Sequence, residues 1–255
     1  MARAPALEWL LLRDRLIAGA GLVLLTLIGW TYLVGVDYGP WFSLMAMPMR
    51  HAWRAADALL TLAMWAVMMV AMMTPSAAPV VLLIATVERR RGERAPVAMA
   101  WLALGGYFAV WTAASGAATV LQWALHEAGL MANAMGGLRP WLAGIVLIGV
   151  GLYQFAPAKA ACLRLCRSPV EILAQYWKPG SGGALRLGLR HGLYCLGCCW
   201  ALMLVLFVSG IMNLIWIAIL SALVLAEKLL PRGLLLGRLA GLGLVAWGGR
   251  LLVGV

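Results

Sequence analysis

All five cysteines fall between positions 162 and 199, as Cys162, Cys166, Cys195, Cys198 and Cys199, and one of only three histidines, His191, lies among them. On a helix, His191, Cys195, Cys198 and Cys199 stand at i, i+4, i+7 and i+8 and share an arc of about 100°. Cys162 and Cys166 are again four apart. Two thiol pairs, a further thiol and an imidazole can therefore converge on one pocket. Thiolate and imidazole are ligands for Cu⁺, Zn²⁺ or an iron centre. The same residues permit a second chemistry: Cys195-x-x-Cys198 has the spacing of a redox pair, with Cys162 and Cys166 as exchange partners. That is the alternative, a membrane thiol-disulfide oxidoreductase. Cysteine is also a small apolar packing residue, and a scaffold whose cysteines merely pack would tolerate serine. It is the clustering with histidine that points to metal or redox chemistry.

Methionine adds a second set of soft donors. Met45, Met47 and Met49 form an M-x-M-x-M run closely followed by His51. Met64, Met68 and Met72 stack along one helical face, and Met69 and Met73 repeat the spacing one position round. A methionine stripe on a helix also packs an apolar core, whereas an exposed loop gains little from three methionines. Thioethers bind Cu⁺ well and Zn²⁺ poorly. The two sets make a gradient across the bilayer, thioethers at 45–49 outside and at 68–73 midway and thiols at 162–199 inside, which suits cuprous ion; zinc or iron fits the thiol and imidazole donors alone.

The elements that position these residues follow from composition. Of 255 residues 64% are hydrophobic and 11% charged, with a mean hydropathy of +0.94. A water-soluble domain needs more polar surface than that. The apolar runs do not alternate, so helices are expected rather than barrel strands. The reading is all-α: a single polytopic transmembrane bundle of about seven helices over 16–36, 58–87, 96–125, 140–157, 191–212, 214–230 and 234–255. The first run has the length of a full span and is read as uncleaved. Pro75 and Pro79 predict a kinked or tilted second helix. Residues 159–190 read as a Cys-containing cytoplasmic loop with a short amphipathic helix near 170–177. Gly237 and Gly241 form a small-xxx-small seam. Gln122, Gln154, Asn213, Glu227 and Lys228 interrupt the apolar runs; Glu227 and Lys228 are expected solvated at the inner interface.

A net charge of +11 does not imply nucleic acid, because the basic residues sit in short clusters between apolar runs. With the N-terminus cytoplasmic, sixteen of the twenty Lys and Arg residues fall inside and only Arg50, Arg54, Arg139 and Arg250 outside, as the positive-inside rule requires. The C-terminus then lies outside. The cytoplasm is reducing, which disfavours a structural disulfide among the inner thiols. Phosphate-binding glycine loops, H-E-x-x-H and serine elbows are absent from the sequence, and only His191 is well placed for haem.

Three blocks carry a resemblance. One is Trp65-x-x-Met68-Met69-x-x-Met72-Met73-x-Pro75-Ser76-Ala77-Ala78-Pro79. Another runs Gly151-Leu152-Tyr153-Gln154-x-x-Pro157-x-Lys159-x-x-Cys162-Leu163-x-x-Cys166-Arg167-Ser168-Pro169. The third is Gly188-x-x-His191-Gly192-x-Tyr194-Cys195-x-Gly197-Cys198-Cys199-Trp200-x-Leu202-Met203, continuing to Met212-Asn213 and Glu227-Lys228. Over about 58–250 the chain resembles a bacterial family of predicted metal-binding integral membrane proteins, similar to the membrane copper chaperones associated with bacterial tyrosinases. With the soft donors, the resemblance implies a non-enzymatic protein of the bacterial inner membrane, a Cu⁺ chaperone or transporter, that handles copper for a copper-enzyme client or exchanges it with a copper carrier. The M-x-M-x-M run lies outside these blocks. The sequence leaves a homo-oligomer open.

Overall fold

A computed structural model describes residues 3–38, 55–131 and 137–254. The described residues form helices and no strand, apart from one isolated bridge between Met131 and Leu138. In chain order the helices are α1 (Arg3–Tyr38), α2 (Ala55–Arg90), α3 (Pro96–Glu127), α4 (Pro140–Tyr153), α5 (Pro157–Arg167), α6 (Pro169–Tyr176), α7 (Ser181–Met203), α8 (Val205–Ser209), α9 (Leu214–Leu229) and α10 (Gly233–Val253).

Proline opens four of them. α3, α4, α5 and α6 each begin with proline in the first turn, where its fixed φ suits the helix and its missing N–H is no loss. Ser168 caps α6 by accepting from the Glu171 backbone N–H, and Asn213 caps α9 by accepting from Trp216. The reading of 159–190 as a loop is therefore corrected. Pro157 and Pro169 start helices there, so both loop cysteines sit on α5, and α7 begins ten residues earlier than the apolar run suggested. The helix expected near 170–177 is present as α6.

Each of the seven predicted stretches contains helix. Among the described residues five helical segments are long and apolar enough to cross a membrane: 7–35, 55–90, 96–127, 181–209 and 233–253. α4 and α5, bent by 62° at their junction, make a sixth if they form one span. α9, with 16 residues, extends about 24 Å and falls short of a 30 Å hydrocarbon layer. Large apolar side chains on α1 and α10 point outward as well as inward, among them Leu16, Val23, Leu27, Leu239 and Leu242. That exterior is the inverse of a water-soluble bundle.

α2 runs unbroken through Pro75 and Pro79. The most extensive packing joins α3 to α7, α4 to α10, α2 to α3 and α1 to α2. Gly106 on α3 and Gly188 on α7 let the two backbones meet, since a Cβ on Gly188 would overlap the Ala103 carbonyl. Gly241 and Gly248 of α10 pack on Gly151 and Gly144 of α4 in the same way, a small-residue seam. Asp14 of α1 is ion-paired with Arg89 at the end of α2, with Nη2–Oδ1 at 3.1 Å. Beside it Trp177 donates to Glu88 at 2.8 Å and lies under the Arg91 guanidinium at 3.6 Å. One end of the bundle is thus rich in arginine.

Candidate metal centre

α3, α2, α7 and α9 enclose a buried group centred on Cys195. The spacing read from the sequence holds: His191, Cys195, Cys198 and Cys199 all lie on the buried face of α7 and are at most 2% exposed. The Cys198 and Cys199 thiols donate to the Cys195 carbonyl at 3.1 and 2.9 Å. The Cys195 sulfur contacts the Tyr107 hydroxyl of α3 at 3.0 Å and accepts from Lys228 Nζ of α9 at 2.8 Å. Lys228 also donates to Ser76 Oγ of α2 at 2.9 Å, and Ser76 lies 3.3 Å from the Tyr107 hydroxyl. Cys166, carried by α5, is buried in the same interior, where it interacts electrostatically with Cys195 and Cys198 of α7. All five cysteines are free.

His191 stacks on the Tyr107 ring, with centroids 5.2 Å apart, and interacts electrostatically with Cys195. Neither ring nitrogen has a hydrogen-bond partner. Buried polar atoms are seldom left so, and an imidazole with free nitrogens beside thiols is a soft-metal donor in waiting. Among the described residues no group of three or more His, Cys, Asp or Glu side chains stands ready to hold a metal. A structural zinc site takes four ligands in a closed tetrahedron. A cuprous ion is content with two sulfur donors, and soft thiolates select it.

Cys162 stands apart. It is half-buried, its sulfur lies against Gly197, and it is not among the thiols that touch Cys195. Met68, Met69, Met72 and Met73 are all buried in α2, as packing alone would also require. The Met73 carbonyl accepts from Ser76 at 2.9 Å, which ties that turn to the Cys195 group. Met69 joins Trp65, Trp111, Trp200 and Met203 in lining an apolar groove of about 550 Å³ between α3 and α7. Met45, Met47, Met49 and His51 lie outside the described residues.

Glu227 and Lys228 are not solvated at an interface, as the sequence suggested. They are 1% and 6% exposed. Glu227 accepts from Lys159 Nζ at 2.7 and 2.9 Å, and the same ammonium bonds Gln154. The signal for both was present, two charges at the end of an apolar run; what sequence could not supply was that α9 packs inward. Tyr107 and Ser76 carried no signal beyond being polar within a span.

Comparison with known proteins adds one positive finding. The model of PpoB2, a copper chaperone family, matches residues 62–251. Neither a curated protein nor a solved structure matches the chain.

Proposed function

Because the chain belongs to this copper chaperone family, whose role is copper handling rather than catalysis, we propose that it is a multi-pass protein of the bacterial inner membrane that binds Cu⁺ at the Cys195 group and passes it to a copper-enzyme client. Cys195, Cys198 and Cys166 are the thiolate candidates, and His191 is the supplementary nitrogen donor. One observation carries the reading. A buried histidine with both nitrogens unpartnered sits beside thiols drawn from two helices, which packing does not explain. Copper is cargo here. The site needs enough affinity to strip the ion from a weaker donor and little enough rigidity to release it, and a small set of soft donors drawn from separate helices meets both demands.

The methionines of α2 extend the donor set. In this reading they form the approach to the thiols, with Met69 and Met203 beside the α3–α7 groove and Met73 next to Ser76. Met45, Met47, Met49 and His51 serve as the capture point, and the arginine-rich end of the bundle faces the cytoplasm. Cys162, off the buried group and half-exposed, is the residue from which a carrier protein would exchange the ion.

The test is Cu⁺ titration of detergent-purified protein against a chromophoric chelator, with X-ray absorption at the copper edge. One ion per chain with sulfur ligation is expected, and Cys195→Ser with Cys198→Ser should abolish it. Unchanged binding in that double variant would falsify the assignment.

A further inference from the structure

The arginines at the basic end of the bundle are not equally engaged. Arg89 is taken up by Asp14, and Arg167 donates to the Leu230 and Pro231 carbonyls. Arg186 and Arg190 of α7 are exposed and have no carboxylate partner among the described residues. Arg190 lies instead over the Tyr176 ring of α6 at 4.5 Å. The Tyr176 hydroxyl is 2.7 Å from that of Tyr194; their mutual bond uses one of two protons and leaves the other O–H to donate outward. Along α7, Arg186, Arg190, Leu193, Gly197, Trp200 and Leu204 share an arc of about 80°. The last four of these line the α3–α7 groove of about 550 Å³. Two guanidinium groups without a counter-charge therefore stand at the head of an apolar channel on the same helix face.

We infer that this face of α7 binds one anionic phospholipid, with its phosphate at Arg186 and Arg190 and one acyl chain in the α3–α7 groove. Trp65, Trp111 and Phe207 form the buried floor of the groove, and Leu121, Leu193 and Trp200 form an exposed rim. In a chain embedded in the bilayer that rim opens sideways into hydrocarbon, so what fills the groove at this depth is an apolar chain. The two charges at its head select, among bilayer lipids, those with a negative headgroup. Arginine binds phosphate through paired N–H donors and carries its charge permanently, so no protonation step enters. The depth agrees. Arg190 and Trp200 are ten residues apart on one helix, which is about 15 Å, half of a hydrocarbon layer of about 30 Å. A headgroup at Arg190 thus lays its chain along one leaflet's depth of groove. An acidic protein partner would answer the arginines alone and leave the groove unfilled. The proposal rests on the membrane placement of the chain and not on the copper assignment.

The experiment titrates the delipidated full chain in detergent with dioleoyl phosphatidylglycerol, dioleoyl phosphatidylcholine or glycerol 3-phosphate and counts bound molecules by native mass spectrometry. One phosphatidylglycerol per chain is expected, held about tenfold or more tightly than phosphatidylcholine, with glycerol 3-phosphate unbound at the same concentration. Arg186→Gln with Arg190→Gln should bring phosphatidylglycerol down to the phosphatidylcholine level. Both arginines are exposed, so the thermal midpoint of that variant in bare detergent should match the native one. Arg186→Lys with Arg190→Lys keeps the charge and should keep most of the preference. Ala118→Phe, which fills the groove from α3, should weaken both lipids. Equal affinity of the native chain for the two lipids, a preference unchanged in the glutamine pair, or lipid binding untouched by Ala118→Phe overturns the proposal. Glycerol 3-phosphate bound as tightly as the lipid does so too, because the groove then holds no chain. A protein that stays monodisperse without detergent would instead overturn the membrane placement itself.

Discussion

An imidazole buried with neither nitrogen bonded forfeits about 1–3 kcal/mol for each unsatisfied group, so His191 is held against the interest of the metal-free fold. His191→Phe keeps the stack on Tyr107 and removes both orphaned atoms. The variant should melt no lower than the native protein in a detergent thermal scan, yet bind Cu⁺ about tenfold more weakly or worse. A higher melting temperature with native Cu⁺ affinity would reduce His191 to a packing residue. At this scale much of the site was legible. The 191/195/198/199 spacing places four side chains on one helical face whatever surrounds them, and α7 presents that face inward. Lys228 stood out as a charge at the end of an apolar run, but its contact with the Cys195 sulfur was not legible, because it comes from α9 lying against α7, a contact across 33 positions of chain. The direction of Cys162 was not legible for the complementary reason: a four-residue spacing puts it one turn from Cys166, but α5 directs its sulfur toward Gly197.

α5 presents Cys166 because its buried face is anchored at the other end. Lys159, Leu163 and Cys166 stand at i, i+4 and i+7 and are all buried, and Lys159 is held by Glu227 and Gln154. Removing one partner of a buried ion pair leaves the other charged and unsolvated, at about 3–5 kcal/mol, whereas replacing both by apolar groups is often neutral. Glu227→Gln should therefore lower the thermal midpoint sharply and weaken Cu⁺ binding by loosening α5. Lys159→Met with Glu227→Leu should recover most of the midpoint. A double variant as unstable as the single one would mean that the pair is not what seats α5. The seam behind it makes a related demand. A Cβ at Gly241 would press on the Gly151 carbonyl and the Gln154 side chain, so Gly241→Leu should separate α10 from α4 and lower the midpoint too. Helices were readable from apolar run length, a local property. The 159–190 segment was misread because proline was taken as an interruption; at the first turn of α5 and α6 it is a start.

For the molecule as a whole, the proposed route for copper depends on which side of the membrane the arginine-rich end faces, and that rests on which helices cross. The turn between α2 and α3 carries Arg91 and Arg94, while the far end of α3 carries His126 and Glu127; α3, at 32 residues, is long enough to separate the two. If the basic end is cytoplasmic, Arg94→Cys should react with a membrane-impermeant maleimide only in inverted vesicles. Glu127→Cys should react in intact sphaeroplasts. Labelling of both from one side would remove α3 as a crossing and with it the inferred route for copper. The total was the least readable property of the sequence, since an apolar run does not disclose whether its helix is straight. The 140–157 run holds only α4, and α5 continues beyond it at a 62° bend, while α9 is a run of the right composition that stops at 16 residues. Parity decides between the remaining arrangements. Seven crossings put the exposed Val253 outside, and an even number returns it to the cytoplasm beside the arginine-rich end. The sixteen-to-four distribution of basic residues favours the outside. Val253→Cys should then label in sphaeroplasts, with α9 crossing by local thinning of the bilayer around its short length. Labelling confined to inverted vesicles would make α9 a half-inserted helix, whose task is to carry Glu227 and Lys228 to the thiols rather than to span.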